Sequence, residues 1–268
     1  MRKYFNNVLI NYRVKRNNEN NNFVLLLHGW GGSISSFQGL EDYLFSQGFS
    51  TINLDFPGFG SSSIPSRDFL LEDYVITIKE LLNYENISKT SIVCHSFGGR
   101  VALLLSSTTN LVNKMILVDS AGLKPRFNLI RWFKIKIFKL KKILNNHLHF
   151  RFNLDKYGSE DYKALPNEMR QTFNNIVSTD LTKNLDNIIA PCLIVWGDKD
   201  KSTPLYMAKK LNKQIKNSEL KIYRNSGHFS YLENFGDFCE LCKKYLLKKE
   251  IEWHFLILTI LTYTLLLY

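Results

Sequence analysis

The sequence predicts an α/β fold with a doubly wound, mostly parallel sheet. Short, continuous apolar runs are typical of strands that helices cover on both faces. Helical patterns separate these runs, as in repeated strand–helix–strand units. Glycine-rich turns follow the runs, at the strand ends where such sheets bind ligands. The strands predicted for this sheet are 23–27, 50–54, 92–93, 114–118, 191–196 and 220–223.

Composition narrows the class of protein. A chain of 268 residues with 45% hydrophobic residues can bury a sizeable core, in one large α/β domain or two small ones. The formal net charge of +11 and the pI near 9.4 would suit nucleic acid or an anionic membrane. The chain has no zinc-like cysteine pair, helix-turn-helix signature or RNA-binding aromatic motif, so we do not expect nucleic acid as a partner.

The cysteines and the N-terminus indicate a cytoplasmic protein. Cys94, Cys192, Cys239 and Cys242 lack the spacing of a disulfide framework, which predicts free thiols in a reducing compartment. Residues 1–7 contain no apolar core of a signal peptide.

The first elements lead to a glycine-rich loop. Alternation over 8–15 predicts a half-exposed edge strand, and the polar run 17–22 is interpreted as a hairpin tip. The buried strand 23–27 ends in His28-Gly29-Trp30-Gly31-Gly32. Glycines at a strand end let backbone amides point into a site, as an oxyanion hole requires.

The next elements continue the alternation. A helix is predicted over 41–47, closed by Gly48, and a strand over 50–54. The turn 55–62 follows, and a second helix is predicted over 69–82.

A serine lies where strand 92–93 meets the next helix. A serine hydroxyl attacks a carbonyl only when it is held exposed beside a base, and a tight turn around Ser96 would expose it. Gly98 would let the helix approach closely, and the helix start would place free N–H groups beside the serine. The alternative is a chance Ser–Gly turn after a buried strand.

The composition changes after strand 114–118. Residues 123–189 lack buried-strand runs and open with the basic segment 131–142. This segment is interpreted either as a solvated helix face or as a surface attracted to anionic lipid or an acidic substrate.

An acid and a histidine follow the last two strands. Strand 191–196 leads into the acidic turn that contains Asp198 and Asp200, and strand 220–223 precedes His228. Groups at these strand ends can reach Ser96 across the top of the sheet.

The chain resembles the α/β-hydrolase family over about residues 8 to 249. Cys94-His95-Ser96-Phe97-Gly98 resembles its G-x-S-x-G nucleophile elbow, with Cys94 in place of the first glycine. The H-G-x-G-G loop 28–32, the D-x-P-G-x-G-x-S turn 55–62 and the order Ser, Asp, His also match the family. The likeness is greatest to meta-cleavage-product hydrolases and haloperoxidase-like esterases.

The resemblance implies a catalytic triad of Ser96, Asp200 and His228. Asp200 matches the acid of the family's G-x-x-D pattern, whereas Asp198 is interpreted as a solvated or turn-bracing carboxylate. Asp119 is the second choice, because some relatives carry the acid after the earlier strand, here 114–118.

The resemblance also implies an oxyanion hole formed by the backbone N–H groups of Trp30 and Phe97. His28 is then a residue that braces its loop and not a base. The implied activity is hydrolysis of an ester or related acyl bond of a small molecule, with C–C cleavage as a variant and no metal or organic cofactor. Non-catalytic ligand binding and a membrane-tethered interaction protein are the alternatives.

The implied domains are a core over 1–122 and 190–250, a helical cap over 123–189 and a hydrophobic tail over 251–268. Residues 253–268 contain no formally charged residue and would span roughly 24 Å as a helix, less than a bilayer core of about 30 Å. Lysines before them suit a tail anchor with the enzyme on the cytoplasmic side of the membrane. A hydrophobic packing tail and an altered reading-frame end are the other interpretations.

Overall fold

The computed structural model describes residues 1–17, 22–126, 129–148 and 160–248. These residues contain an eight-stranded sheet with helices on both faces. The strands are β1 Arg2–Phe5, β2 Val8–Lys15, β3 Phe23–Leu27, β4 Ser50–Leu54, β5 Thr90–His95, β6 Val112–Val118, β7 Cys192–Gly197 and β8 Ser218–Tyr223. The α-helices are α1 Gln38–Ser46, α2 Leu71–Tyr84, α3 Phe97–Thr108, α4 Leu129–Leu148, α5 Glu160–Lys163, α6 Asn167–Ser178, α7 Tyr206–Gln214, α8 Ser230–Glu233 and α9 Phe235–Leu247.

The strand order is β1-β2-β4-β3-β5-β6-β7-β8. The β1–β2 and β2–β4 pairs are antiparallel, and the pairs from β4 to β8 are parallel. The predicted doubly wound, mostly parallel sheet is therefore confirmed. The chain runs outward from β3 to β4 and returns to β5 on the other side of β3. This reversal makes the ends of β3 and β5 the expected position of a ligand site.

The N-terminal region differs from the prediction in two ways. Strand β2 is not the edge, because β1 pairs with it through a two-residue turn in which Asn6 and Asn7 have positive φ. Strands β2 and β3 do not pair as the predicted hairpin, because β4 lies between them. Residues 18–21 of the predicted hairpin tip lie outside the described ranges. Strand β1 was not predicted, because Phe5 is its one buried residue and a single apolar position gives no alternating pattern.

Continuous apolar strands follow from two separate cores. On one face, Leu25 and Leu27 of β3 pack in a cluster with α2, α3 and α7. On the other face, Val24 and Leu26 pack in a cluster with α1 and α9. Since successive side chains of a strand point to opposite faces, burial on both sides favours an apolar residue at every position of β3.

Helices α4, α5 and α6 lie between β6 and β7, within the range predicted to form a cap. No helix in the described ranges is long and apolar enough to cross a bilayer. The predicted tail 251–268 lies outside those ranges, as do residues 149–159. The four cysteines are buried free thiols, as predicted.

Candidate active site

Ser96 lies at the sharp turn between β5 and α3. Its backbone has φ +48° and ψ −109°, a conformation that costs energy for a non-glycine residue. A Cβ atom on Gly98 would overlap the carbonyl of Leu27, so this position needs glycine for α3 to approach β3. Cys94, which replaces the first glycine of the motif, is fully buried, and its thiol donates to the Ile116 carbonyl at 3.4 Å. The turn thus accommodates the substitution.

The structure brings Ser96, His228 and Asp200 together in one hydrogen-bonded chain. His228 Nε2 lies 3.0 Å from Ser96 Oγ, and His228 Nδ1 lies 2.8 Å from Asp200 Oδ2. With Nδ1–H donating to the carboxylate, Nε2 is free to accept the serine proton. The loops after the paired strands β7 and β8 thus meet the serine beyond the end of β5.

The loop after β7 supports the Asp200 carboxylate. Asp200 Oδ1 accepts hydrogen bonds from the amides of Ser202 and Thr203, at 2.8 and 3.0 Å. Thr203 Oγ1 lies 2.6 Å from Oδ2. Burial raises the pKa of Asp200, but hydrogen bonds from His228 and Thr203 outweigh burial and hold the pKa below its ordinary value. Asp200 is therefore an anion at neutral pH. Asp198, the other aspartate of this loop, is exposed to solvent.

Asp119 lies behind this chain as a brace between the two loops. Its Oδ1 accepts from the Gly197 amide at 2.8 Å, and its Oδ2 accepts from the Ser230 amide and hydroxyl at 3.1 and 2.6 Å. Burial raises the pKa of Asp119 to about 7, although these hydrogen bonds oppose the rise. The geometry therefore favours Asp200 over Asp119 as the partner of His228.

The two residues predicted to form an oxyanion hole lie in the loop after β3 and at the start of α3. Phe97 is the first residue of α3, so its N–H has no carbonyl partner four residues earlier in the helix. Trp30 lies in a turn that closes when the Gly32 amide donates to the Gly29 carbonyl at 3.0 Å. Trp30, Ser96 and Phe97 line the same cavity.

His28 braces its loop, as predicted. Its Nδ1 lies 2.7 Å from the Gly29 carbonyl, and its Nε2 lies 3.0 Å from the Phe56 amide. This pattern assigns the proton to Nδ1. Burial lowers the pKa of His28 to about 4, which keeps the ring neutral at pH 7.

His95 has a positioning role that the sequence analysis missed. Its Nε2 lies 2.7 Å from the His228 carbonyl, and the two ring centroids are 4.8 Å apart. Burial lowers the pKa of His95 to about 3, so the ring is neutral and donates this hydrogen bond. His95 thus fixes the backbone that carries His228. Its place directly before Ser96, at the end of a buried strand, was the available signal.

A cavity of about 650 Å³ opens beside Ser96 and His228. Core residues supply some of its walls, and helix α6 supplies Phe173, Ile176 and Val177. Arg100, one turn further along α3 than Ser96, also lines it. Within the described ranges, no group of three His, Cys, Asp or Glu side chains could hold a metal ion.

A parallel sheet of this topology, with a serine on a strained strand-to-helix turn, defines the α/β-hydrolase class. The chain belongs to the alpha/beta hydrolase family, whose model matches residues 24–241, and it is an α/β-fold hydrolase.

Known proteins of related sequence and structure include several hydrolases. A 2-hydroxy-6-oxononadienedioate/2-hydroxy-6-oxononatrienedioate hydrolase from Klebsiella pneumoniae is 27% identical over 258 residues, covering 83% of this chain and 86% of that protein. An esterase from Exiguobacterium antarcticum matches with a TM-score of 0.71 and 21% identity, covering 90% of this chain and 96% of that one. A meta-cleavage product hydrolase from Pseudomonas fluorescens IP01 has a TM-score of 0.70 and 19% identity, with coverages of 91% and 96%.

Proposed function

We propose that this hydrolase is a serine hydrolase that cleaves an ester or a related acyl bond of a small molecule. The observation that carries the proposal is the chain from Ser96 Oγ to His228 and on to Asp200, with heavy-atom distances of 3.0 and 2.8 Å. Both distances are hydrogen-bond distances, and the first is within the range expected for proton transfer from Ser96 to His228. The helical segment 123–189 would act as a cap, because its α6 side chains line the cavity.

In the first half of the proposed reaction, Ser96 Oγ attacks the acyl carbon while its proton moves to His228 Nε2. Asp200 holds the ring in the required tautomer and stabilises the imidazolium that forms. The amides of Trp30 and Phe97 stabilise the developing oxyanion. His228 then gives the proton to the leaving oxygen, which departs as an alcohol and leaves an acyl-enzyme.

In the second half, water attacks the acyl carbon and transfers a proton to His228 Nε2. Collapse of the tetrahedral intermediate releases the acid, and the proton returns to Ser96 Oγ. Cleavage of a C–C bond is the variant suggested by the Klebsiella and Pseudomonas proteins, and the esterase match suggests ester cleavage.

The alternative is a protein that binds a ligand in the cavity without turnover. Serine reactivity separates the two, because ligand binding does not require an activated nucleophile. The test is the intact mass of the protein after treatment with a fluorophosphonate. We expect one adduct on the parent and none on Ser96→Ala or His228→Ala.

Ser36→Ala is the matched control, because Ser36 lines the same cavity but its hydroxyl accepts from the Ser33 amide and does not contact His228. This variant should label like the parent. A folded parent that takes up no adduct, or an adduct that persists in Ser96→Ala, would overturn the proposal.

A further inference from the structure

Arg100 places a buried positive charge in the wall of the cavity beside Ser96. We infer that Arg100 binds a carboxylate of the substrate, so that the enzyme prefers esters or related compounds with a second, anionic end. This inference rests on the proposed function, because it assigns the substrate class of the same site.

Arg100 lies in the first turn of α3, near Ser96 in the chain. Ser96 immediately precedes the helix, and Arg100 lies four residues later, about one turn into it. Side chains of a helix tilt toward its N-terminus, which is the end that carries Ser96. Both residues line the one cavity.

The guanidinium is buried and forms no ion pair with any described residue, although the charge of Asp180 attracts it from a distance. Arg100 is only 8% exposed, and its Nη1 donates to the Thr179 carbonyl at 2.7 Å. Within the described ranges, this is its one hydrogen bond, and no carboxylate oxygen lies within 4.0 Å of it. The nearby Asp180 accepts instead from the amide and hydroxyl of Thr182. Because an unpaired buried charge is unfavourable, the remaining N–H groups of Arg100 are suited to an anion that enters the cavity.

The cavity lining favours a carboxylate among the anions that arginine binds. The planar guanidinium matches a carboxylate with two parallel hydrogen bonds. Arg100 is the one lysine or arginine among the described residues that line the cavity, and much of the rest is apolar. A single cation in a largely apolar cavity matches the one negative charge of a carboxylate on an aliphatic chain better than the two charges of a phosphate.

A purely structural role is the competing explanation. The bond from Arg100 to the Thr179 carbonyl links α3 to the end of α6, so Arg100 could brace the cavity wall. A brace predicts that removing Arg100 lowers the turnover of charged and neutral substrates alike. An anion site predicts that the ratio between them changes.

The first experiment measures this ratio by proton release. Monomethyl esters of succinate, glutarate and adipate are compared with methyl butyrate, pentanoate and hexanoate. We expect the parent to have the higher kcat/KM for at least one half-ester than for its neutral analogue. Arg100→Gln should lower that ratio by roughly 30-fold, the effect of losing a charge-assisted hydrogen bond, and Arg100→Lys should lower it less.

The ratio does not depend on the fraction of folded enzyme, so partial unfolding of a variant does not confuse the result. Arg170→Gln is the matched control, because it removes the same charge from an exposed position on α6. Its ratio should stay within about twofold of the parent's, since exposed charges are screened. A ratio that Arg100→Gln leaves unchanged, or that Arg170→Gln lowers equally, would overturn the inference.

The second experiment separates this inference from the proposed function. Calorimetry with Ser96→Ala compares the binding of monomethyl glutarate and of neutral dimethyl glutarate, with and without Arg100→Gln. If the parent takes up no phosphonate, the proposed function is wrong, but tighter binding of the half-ester that requires Arg100 still supports the anion site. Failure of the half-ester to bind more tightly than the diester overturns it.

Discussion

Two neighbouring loops of the sheet each carry a buried aspartate, and the protein uses them in opposite ways. Asp119 follows β6 and Asp200 follows β7, and the two strands pair in parallel. Burial raises the pKa of Asp119 to about 7, whereas hydrogen bonds from His228 and Thr203 overcome burial and hold the pKa of Asp200 below its ordinary value. The same residue type at the same edge of the sheet therefore has two ionisation behaviours.

The difference follows from which groups face each carboxylate. One oxygen of Asp200, Oδ2, accepts hydrogen bonds from both the His228 ring and the Thr203 hydroxyl. The oxygens of Asp119 accept from Gly197 and Ser230, which hold the loops that carry Asp200 and His228. In the proposed reaction, Asp200 is thus the acid that contacts the base, and Asp119 is a positioning residue that acts through backbone.

The largest effect is expected from Asp200→Asn. The asparagine oxygen can still accept from the Ser202 and Thr203 amides, but its NH₂ group would face His228 Nδ1. The ring would then carry its proton on Nε2 and could not accept the proton of Ser96. We expect kcat for the hydrolysed ester to fall by about 10³ to 10⁴.

Asp198→Asn is the control for this prediction, because Asp198 is an exposed carboxylate of the same loop. Its kcat should stay within about twofold of the parent's. The comparison between the loops would be reversed if Asp119→Asn caused the thousandfold loss and Asp200→Asn had little effect.

A second prediction concerns the pH dependence of stability. The raised pKa of Asp119 means that the unfolded chain loses this proton near pH 4 and the folded protein only near pH 7. The contribution of Asp119 to the free energy of unfolding should therefore decrease as the pH rises between these values. Asp200 has the opposite sign and a lower window: its contribution is lost only as the pH falls below about 4.

The measurement is the free energy of unfolding of the parent and of Asp119→Asn from pH 4 to pH 8. The stability of the parent relative to the variant should fall by on the order of 3 kcal/mol across this range. The buried His28 and His95 have lowered pKa values and give the opposite slope, but they are present in both proteins and cancel in the difference. Parallel curves would show that Asp119 is not held protonated by burial.

The sequence predicted the parts of this site that depend on local chain geometry. A sharp turn at Ser96 and a close approach at Gly98 need small residues in a short motif, so they leave a readable pattern. The positions of Asp200 and His228 follow from strand ends that a parallel sheet brings to one edge.

The contacts that the sequence did not predict join residues far apart in the chain. His95 reaches the His228 carbonyl, and Asp119 reaches Ser230, across more than one hundred residues. Such hydrogen bonds leave no periodicity, because each depends on how two loops meet in the folded sheet. Strand β1 was missed for a different reason, since three of its four residues are exposed.

The smallest effect is expected at Thr203, which connects the two aspartate loops. Its hydroxyl lies 2.6 Å from Asp200 Oδ2 and 3.0 Å from the Asp119 carbonyl. The hydrogen bond to Asp200 helps hold the pKa of that carboxyl low, so Thr203→Val should make the carboxylate that orients His228 less stable. We expect kcat/KM to fall by roughly threefold to tenfold, as for the loss of one hydrogen bond.

Thr203→Ser, which keeps the hydroxyl, should recover most of the activity if the hydrogen bond is the cause. Equal losses in both variants would instead assign the effect to the packing of the Thr203 side chain and not to its hydrogen bond.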